Sequence, residues 1–160
     1  MSVVHVWLWN SGNFAKKFLI LSSMITATKH PMPQFQEFHI EGVQHIAPED
    51  AFDLLLKDAA VMLDVREPEE WNAEKFSVPE VIYMPLGKVI YSLDKIPKDK
   101  TVIVACRAGI RSSKIVNLLY YQGFHDAANL DGGILKWVEA GLPVACKPRK
   151  GCSCGCNCGD

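Results

Sequence analysis

Thr101-Val102-Ile103-Val104-Ala105 is an apolar run with no alternating polar residue, followed at once by a short loop containing glycine and then by a helical pattern. A strand of that composition has no face to offer to water. It belongs in the interior of a parallel sheet, covered by helices on both sides. The helix that follows is read over Ser112 to Gln122, with Ile115, Leu118 and Leu119 forming its inward stripe and Gly123 ending it. Strand, tight loop and helix in that order fix an α/β architecture, and they place the loop at the carboxyl end of a central strand, where open α/β sheets bind their ligands.

The rest of the body supplies the other units. Ala47-Pro48-Glu49-Asp50 reads as a helix entrance, with proline at the first helical position and two carboxylates near the positive end of the helix dipole. That helix runs to Leu56 or Lys57 with Phe52, Leu55 and Leu56 turned inward. Val61 to Val65 reads as a buried strand, Pro68 to Asn72 as a short helix, Val81 to Tyr83 as a strand ended by Pro85, and Lys88 to Leu93 as another short helix. Asp94 to Lys100 is a polar turn. Asp126 to Leu130 is a last strand, and Asp131-Gly132-Gly133 turns the chain into a helix from Ile134 to Ala140, closed by Gly141. The expected fold is an α/β three-layer sandwich around a mostly parallel sheet.

A chain of 160 residues has room for one such domain. Seventeen Lys and Arg stand against 18 Asp and Glu, so the net charge of −1 gives no general basis for binding nucleic acid, although a local anion site is compatible with it. Six cysteines occur, at 106, 146, 152, 154, 156 and 158, and the body holds only Cys106. That is not a disulfide scaffold, and it fits a reducing compartment such as the cytoplasm.

Cys106-Arg107-Ala108-Gly109-Ile110-Arg111 fills the loop between the central strand and its helix. Such a loop aims backbone N–H groups into a small bowl that holds an anion. Gly109 lets it close, and Arg107 and Arg111 add forked cationic donors. A thiol at the mouth of that bowl has its thiolate favoured, because positive charge and amide donors stabilise S⁻ over S–H. Buried filler is the usual fate of a cysteine after a strand, but filler has no need of two cationic neighbours. Asp64 and Arg66 read as an internal ion pair supporting the loops, Trp71 and Trp137 as packing residues, and His45 and His125 as structural or surface histidines.

The body resembles the single-domain rhodanese family of sulfurtransferases. Four pieces carry the resemblance: Leu63-Asp64-Val65-Arg66-Glu67-Pro68-Glu69-Glu70-Trp71; the stretch from Pro79 to Leu86; the loop from Cys106 to Arg111 followed by Ser112; and Gly123-Phe124 through Leu130-Asp131-Gly132-Gly133-Ile134, with Trp137 and Gly141-Leu142-Pro143. The resemblance implies a rhodanese-like fold over residues 38–145. It also implies that Cys106 accepts a sulfane sulfur from thiosulfate or a persulfide donor as a persulfide and passes it to a thiol or to cyanide. Arg107, Ala108, Gly109, Ile110 and Arg111 bind the substrate, and no cofactor is required. Arg107 recognises anions at the mouth, while Arg111 is expected to pair partly with an internal carboxylate. A persulfide carrier or adaptor module serving a partner protein, with soft-metal or metalloid handling by the cysteine tail, is the alternative. Related cysteine phosphatases and arsenate reductases place five residues between cysteine and arginine, whereas four separate Cys106 from Arg111. One departure stands at Phe76-Ser77-Val78-Pro79-Glu80-Val81, where the family's histidine is absent and Glu80 replaces its glycine; it bears on the rim of the site.

Both ends differ from the body. Residues 1–37 read as an extension or linker: Trp7 and Trp9 show no period, Phe18-Leu19-Ile20-Leu21 is far shorter than a membrane span, and Pro31, Pro33, Gln34 and Gln36 have linker character. Met24 and Met32 are alternative translation starts, and the segment is either loosely attached or an arm lying on the domain. Residues 146–160 form a cysteine-rich tail after the weakly basic Lys147, Arg149 and Lys150. Three readings of Cys152, Cys154, Cys156 and Cys158 stay open: a Zn²⁺ or Cu⁺ site, a thiol relay that takes sulfur from Cys106, or neither. Their spacing by two departs from the usual structural zinc pattern. No membrane or nucleic-acid partner is expected.

Overall fold

A computed structural model describes residues 28–146. Five parallel strands form the main sheet in the order β1-β6-β5-β2-β4: β1 (His45–Ile46), β2 (Ala60–Asp64), β4 (Val81–Tyr83), β5 (Thr101–Ala105) and β6 (Ala127–Leu130). A small antiparallel pair, β3 (Glu74–Phe76) with β7 (Val144–Cys146), stands apart from it. The helices are α1 (Pro48–Leu56), α2 (Pro68–Ala73), α3 (Ile110–Tyr121) and α4 (Gly133–Glu139), with two 3-10 segments at Leu86–Tyr91 and Leu93–Lys95.

The two faces of the sheet follow from residue parity. Side chains alternate along a strand, so Val61, Leu63, Val102 and Val104 join Ile115, Val116 and Leu119 of α3 in one core, while Ala60, Met62, Ile103 and Ala105 join Leu54, Leu55, Ile134 and Trp137 of α1 and α4 in the other. Every residue of β2 is buried, and so is β5 after Thr101. That is why no polar alternation marks these strands. Trp137 is fully buried, edge-on to Phe52 and Phe76. Trp71 instead stacks on Tyr83 with ring centroids 4.4 Å apart.

Several boundaries move. The strand expected at Val61–Val65 begins and ends one residue earlier, although the Val65 N–H still donates to the carbonyl of Ala105 on β5. The helix expected from Ser112 starts at Ile110, since Gly109 at φ 87° caps it earlier. The expected Lys88–Leu93 helix is the 3-10 segment at Leu86–Tyr91, and the polar turn after it opens with a second 3-10 turn. Strands β1, β3 and β7 carry no sequence signal of their own; they have two or three residues each. Val144–Cys146 pairs with β3, so Cys146 is part of the fold. From residue 28 the N-terminal segment lies along the domain: His30 exchanges both backbone hydrogen bonds with His45 at 2.7 Å, and the backbone N–H groups of Gln34 and Phe35 donate to the carboxylate of Asp131.

Candidate active site

The site grows out of β5. Val102, Val104 and Cys106 share a parity, so the sulfur falls on the α3 side of the sheet, just past the strand's carboxyl end. Cys106 is 1% exposed. Its Sγ accepts the backbone N–H of Gly109 at 3.2 Å and the hydroxyl of Ser112 at 3.1 Å, and both donors belong to the first turn of α3 or its cap. A helix start offers unsatisfied amides and positive potential, which suits a sulfur anion.

The loop's other polarity is settled on the opposite face. The N–H groups of Ile134 and Leu135 at the start of α4 donate to the carbonyls of Cys106 and Arg107, at 2.9 and 3.2 Å. Of the loop amides, that of Gly109 faces the sulfur. Gly133 makes the approach possible: a Cβ there would stand 2.5 Å from the Cys106 carbonyl oxygen and 2.6 Å from the Arg107 backbone. Gly133 therefore serves this contact as well as the helix start.

Two arginine–carboxylate pairs flank the loop. Asp64 and Arg66 are both buried; the Arg66 guanidinium donates to both oxygens of Asp64 at 2.6–3.0 Å and to the carbonyl of Glu74 at 2.9 Å. Arg111 makes a two-pronged contact with Glu70 of α2, at 2.6 and 2.7 Å. Hydrogen bonding from Arg111 holds the Glu70 carboxyl below its ordinary range. Glu70 raises Arg111 in turn, and the neighbouring Cys106 sulfur and Glu67 act in the same direction. Arg107 and Ile110 are exposed, Ala108 is half-buried and Gly109 is buried.

Of the five loop residues expected to bind substrate, Gly109 donates to the Cys106 sulfur while the Arg111 guanidinium is turned to Glu70; Asp64 and Arg66 lie at the carboxyl end of β2. Cys152, Cys154, Cys156 and Cys158 lie outside the described residues. Among the described residues, no group of three or more His, Cys, Asp or Glu side chains is arranged to hold a metal. The rim is not where the sequence departure falls. Glu80 precedes β4 at the amino end of the sheet, its carbonyl accepting from Met62 and its carboxylate pairing with Lys100, so it stands away from Cys106. Glu70 was not singled out by the sequence reading, although its place as the third residue of a proline-initiated helix marks it as an N-terminal carboxylate. Gln36, read as linker, reaches the loop as well: a Cβ on Gly109 would run into its carboxamide.

The rhodanese-like domain profile matches residues 48–140. The "Sulfurtransferase" of Allochromatium vinosum is 33% identical over 84 residues, which cover 52% of this chain and 77% of that protein. The "Thiosulfate sulfurtransferase GlpE" of Actinobacillus succinogenes is 32% identical over 99 residues, 62% of this chain and 87% of that one. Among solved structures, the polysulfide-sulfur transferase homodimer of Wolinella succinogenes superposes with a TM-score of 0.60 at 31% identity, covering 68% of this chain and 82% of that chain.

Proposed function

Because the chain belongs to the rhodanese-like family of sulfurtransferases, we propose that Cys106 carries the transferred sulfur as a persulfide, loaded from thiosulfate or a persulfide donor and released to a thiol or to cyanide. The observation that carries this reading is the pair of donors on one sulfur: the Gly109 amide and the Ser112 hydroxyl both point at Cys106 Sγ. Donors aimed at a sulfur favour its anion, the form that acts as the nucleophile. The thiolate attacks the outer sulfur of thiosulfate; a new S–S bond forms, the bond to the sulfonate sulfur breaks, and sulfite leaves with its electron pair. In this reading the outer persulfide sulfur then carries the negative charge, and backbone amides of the loop stabilise it. Cyanide or a thiolate then attacks that sulfur, taking it as thiocyanate or as a new persulfide and returning the Cys106 thiolate. The electrons balance without a cofactor, and a reducing compartment such as the cytoplasm keeps the thiol available.

The test is intact-mass measurement after incubation with thiosulfate. One added sulfur atom is expected, lost on addition of cyanide and absent from Cys106→Ser. Loading that persists in Cys106→Ser would move the site elsewhere. Loading at Cys106 without turnover on cyanide or small thiols would replace the enzyme reading by that of a persulfide carrier for a partner protein.

A further inference from the structure

Gln36 precedes the matched domain, yet its side chain sits against the loop that holds Cys106. Its Nε2 donates to the carbonyl of Phe38 at 2.6 Å and to the hydroxyl of Ser113 at 3.2 Å; its Oε1 accepts from Asn129 Nδ2 at 3.0 Å and from the backbone N–H of Gly132 at 3.3 Å. Two donors meet two acceptors and two acceptors' worth of lone pairs meet two donors, so only one orientation of the amide satisfies all four contacts. The contacts join three segments: the N-terminal strap, the first turn of α3, and the Gly132 turn that leads into α4.

These contacts bear on the sulfur through Gly109. Ser113 donates its hydroxyl to the Gly109 carbonyl at 2.7 Å and its backbone N–H to the same oxygen at 3.1 Å. With Gln36 donating to Ser113 Oγ, the Ser113 hydroxyl hydrogen is left to point at Gly109. The carboxamide also occupies the space in front of the Gly109 α-carbon: a Cβ there would lie 1.5 Å from Gln36 Oε1. Gly109 is held at φ 87° from behind while its N–H faces Cys106 Sγ. Gln36 is itself secured, since the backbone on its N-terminal side is anchored to Asp131 and Asn129 is backed by the buried His45 at 3.0 Å.

We propose that Gln36 is a positioning residue for sulfur transfer, one that locks Gly109 in the conformation that aims its amide at the Cys106 sulfur. This rests on the reading of Cys106 as the sulfur carrier. A residue outside the recognised domain thereby becomes part of its loop.

The test uses the full chain and follows the rate at which iodoacetamide modifies Cys106, read on the Cys106 peptide by mass spectrometry as a function of pH, alongside kcat and KM for thiosulfate. Gln36→Ala is expected to slow Cys106 modification at neutral pH about tenfold. kcat is expected to fall about tenfold, with KM changed less than about twofold. Gln36→Met keeps length and volume and removes the hydrogen bonds; the inference requires it to behave like Gln36→Ala. Exposed Gln34→Ala leaves the modification rate and kcat unchanged. A Gln36→Met protein with the native modification rate and kcat would reduce Gln36 to packing and overturn the inference while the transferase reading stands. Failure of the unaltered chain to take up sulfur at Cys106 would remove both.

Discussion

The two arginine–carboxylate pairs near Cys106 use the same chemistry in different settings. Asp64 and Arg66 are two residues apart, 0% and 2% exposed, and tied by three side-chain N···O contacts within 3.0 Å. Glu70 and Arg111 are 41 residues apart, with side chains 23% and 30% exposed. The first pair sits at the end of β2 and joins it to β3 through the Glu74 carbonyl. The second joins α2 to the helix that follows the loop. A buried pair is costly to break, because each removed partner leaves the other charged and out of water; a half-exposed pair leaves its survivor able to hydrate. The contrast predicts a scaffold role for the first pair and a role in the electrostatics of the loop for the second.

Breaking the buried pair gives the largest expected effect. Arg66→Met keeps an unbranched side chain but strands the Asp64 carboxylate and the Glu74 carbonyl, and is expected to cost about 3–5 kcal/mol in urea unfolding. Replacing both members, Asp64→Leu with Arg66→Met, is expected to recover most of that loss, since no buried charge is then left alone. A single replacement costing under about 1 kcal/mol would erase the distinction between the pairs.

The half-exposed pair is expected to show the opposite ranking. In a double-mutant cycle of Glu70→Gln and Arg111→Gln, the coupling energy is expected near ~1 kcal/mol, the upper end for pairs of this exposure. Sulfur loading of Arg111→Gln is expected to slow about tenfold, because a guanidinium charge that interacts with the Cys106 sulfur is lost. A large stability loss with loading intact would place Arg111 in the scaffold beside Arg66.

The reach of sequence reasoning divides along similar lines. Asp64 and Arg66 were legible as an ion pair because the partners are adjacent in a strand-end motif. The Cys106 loop was legible because a single segment contains the nucleophile, glycine and arginines. β5 announced itself by burial on both faces. Glu70 and Gln36 were not legible: each meets the loop only after the chain has crossed the fold, 41 residues from Arg111 and 77 from Ser113. Pro31, Pro33 and the polar side chains gave the strap a linker's composition because its backbone is held by Asp131 and its contact with the loop is a carboxamide, with little apolar burial. β3 and β7 were missed for a related reason. Three-residue strands are specified by the partner across from them, and that partner is 68 or more residues away in register, as Phe76 pairs with Val144.

The smallest expected effect separates the pairs by pH. Glu70 is held below its usual value of 4.5, first by its hydrogen bonds from Arg111. A carboxyl lowered by folding binds fewer protons in the native state than in the unfolded chain, so its contribution is fully present above the unfolded value and is lost as pH falls through the folded one. Between about pH 5 and pH 3 the urea midpoint is therefore expected to decline, and part of that decline belongs to Glu70. Arg111→Gln removes the main cause of the lowering; its acid limb is expected to be shallower by a few tenths of a kcal/mol, while its stability near neutral pH is reduced by about the coupling energy. Parallel acid limbs in the two proteins would mean that the carboxylate gains nothing from the guanidinium in solution. Arg111 would then be left to Cys106, with no competing claim from Glu70 on its charge.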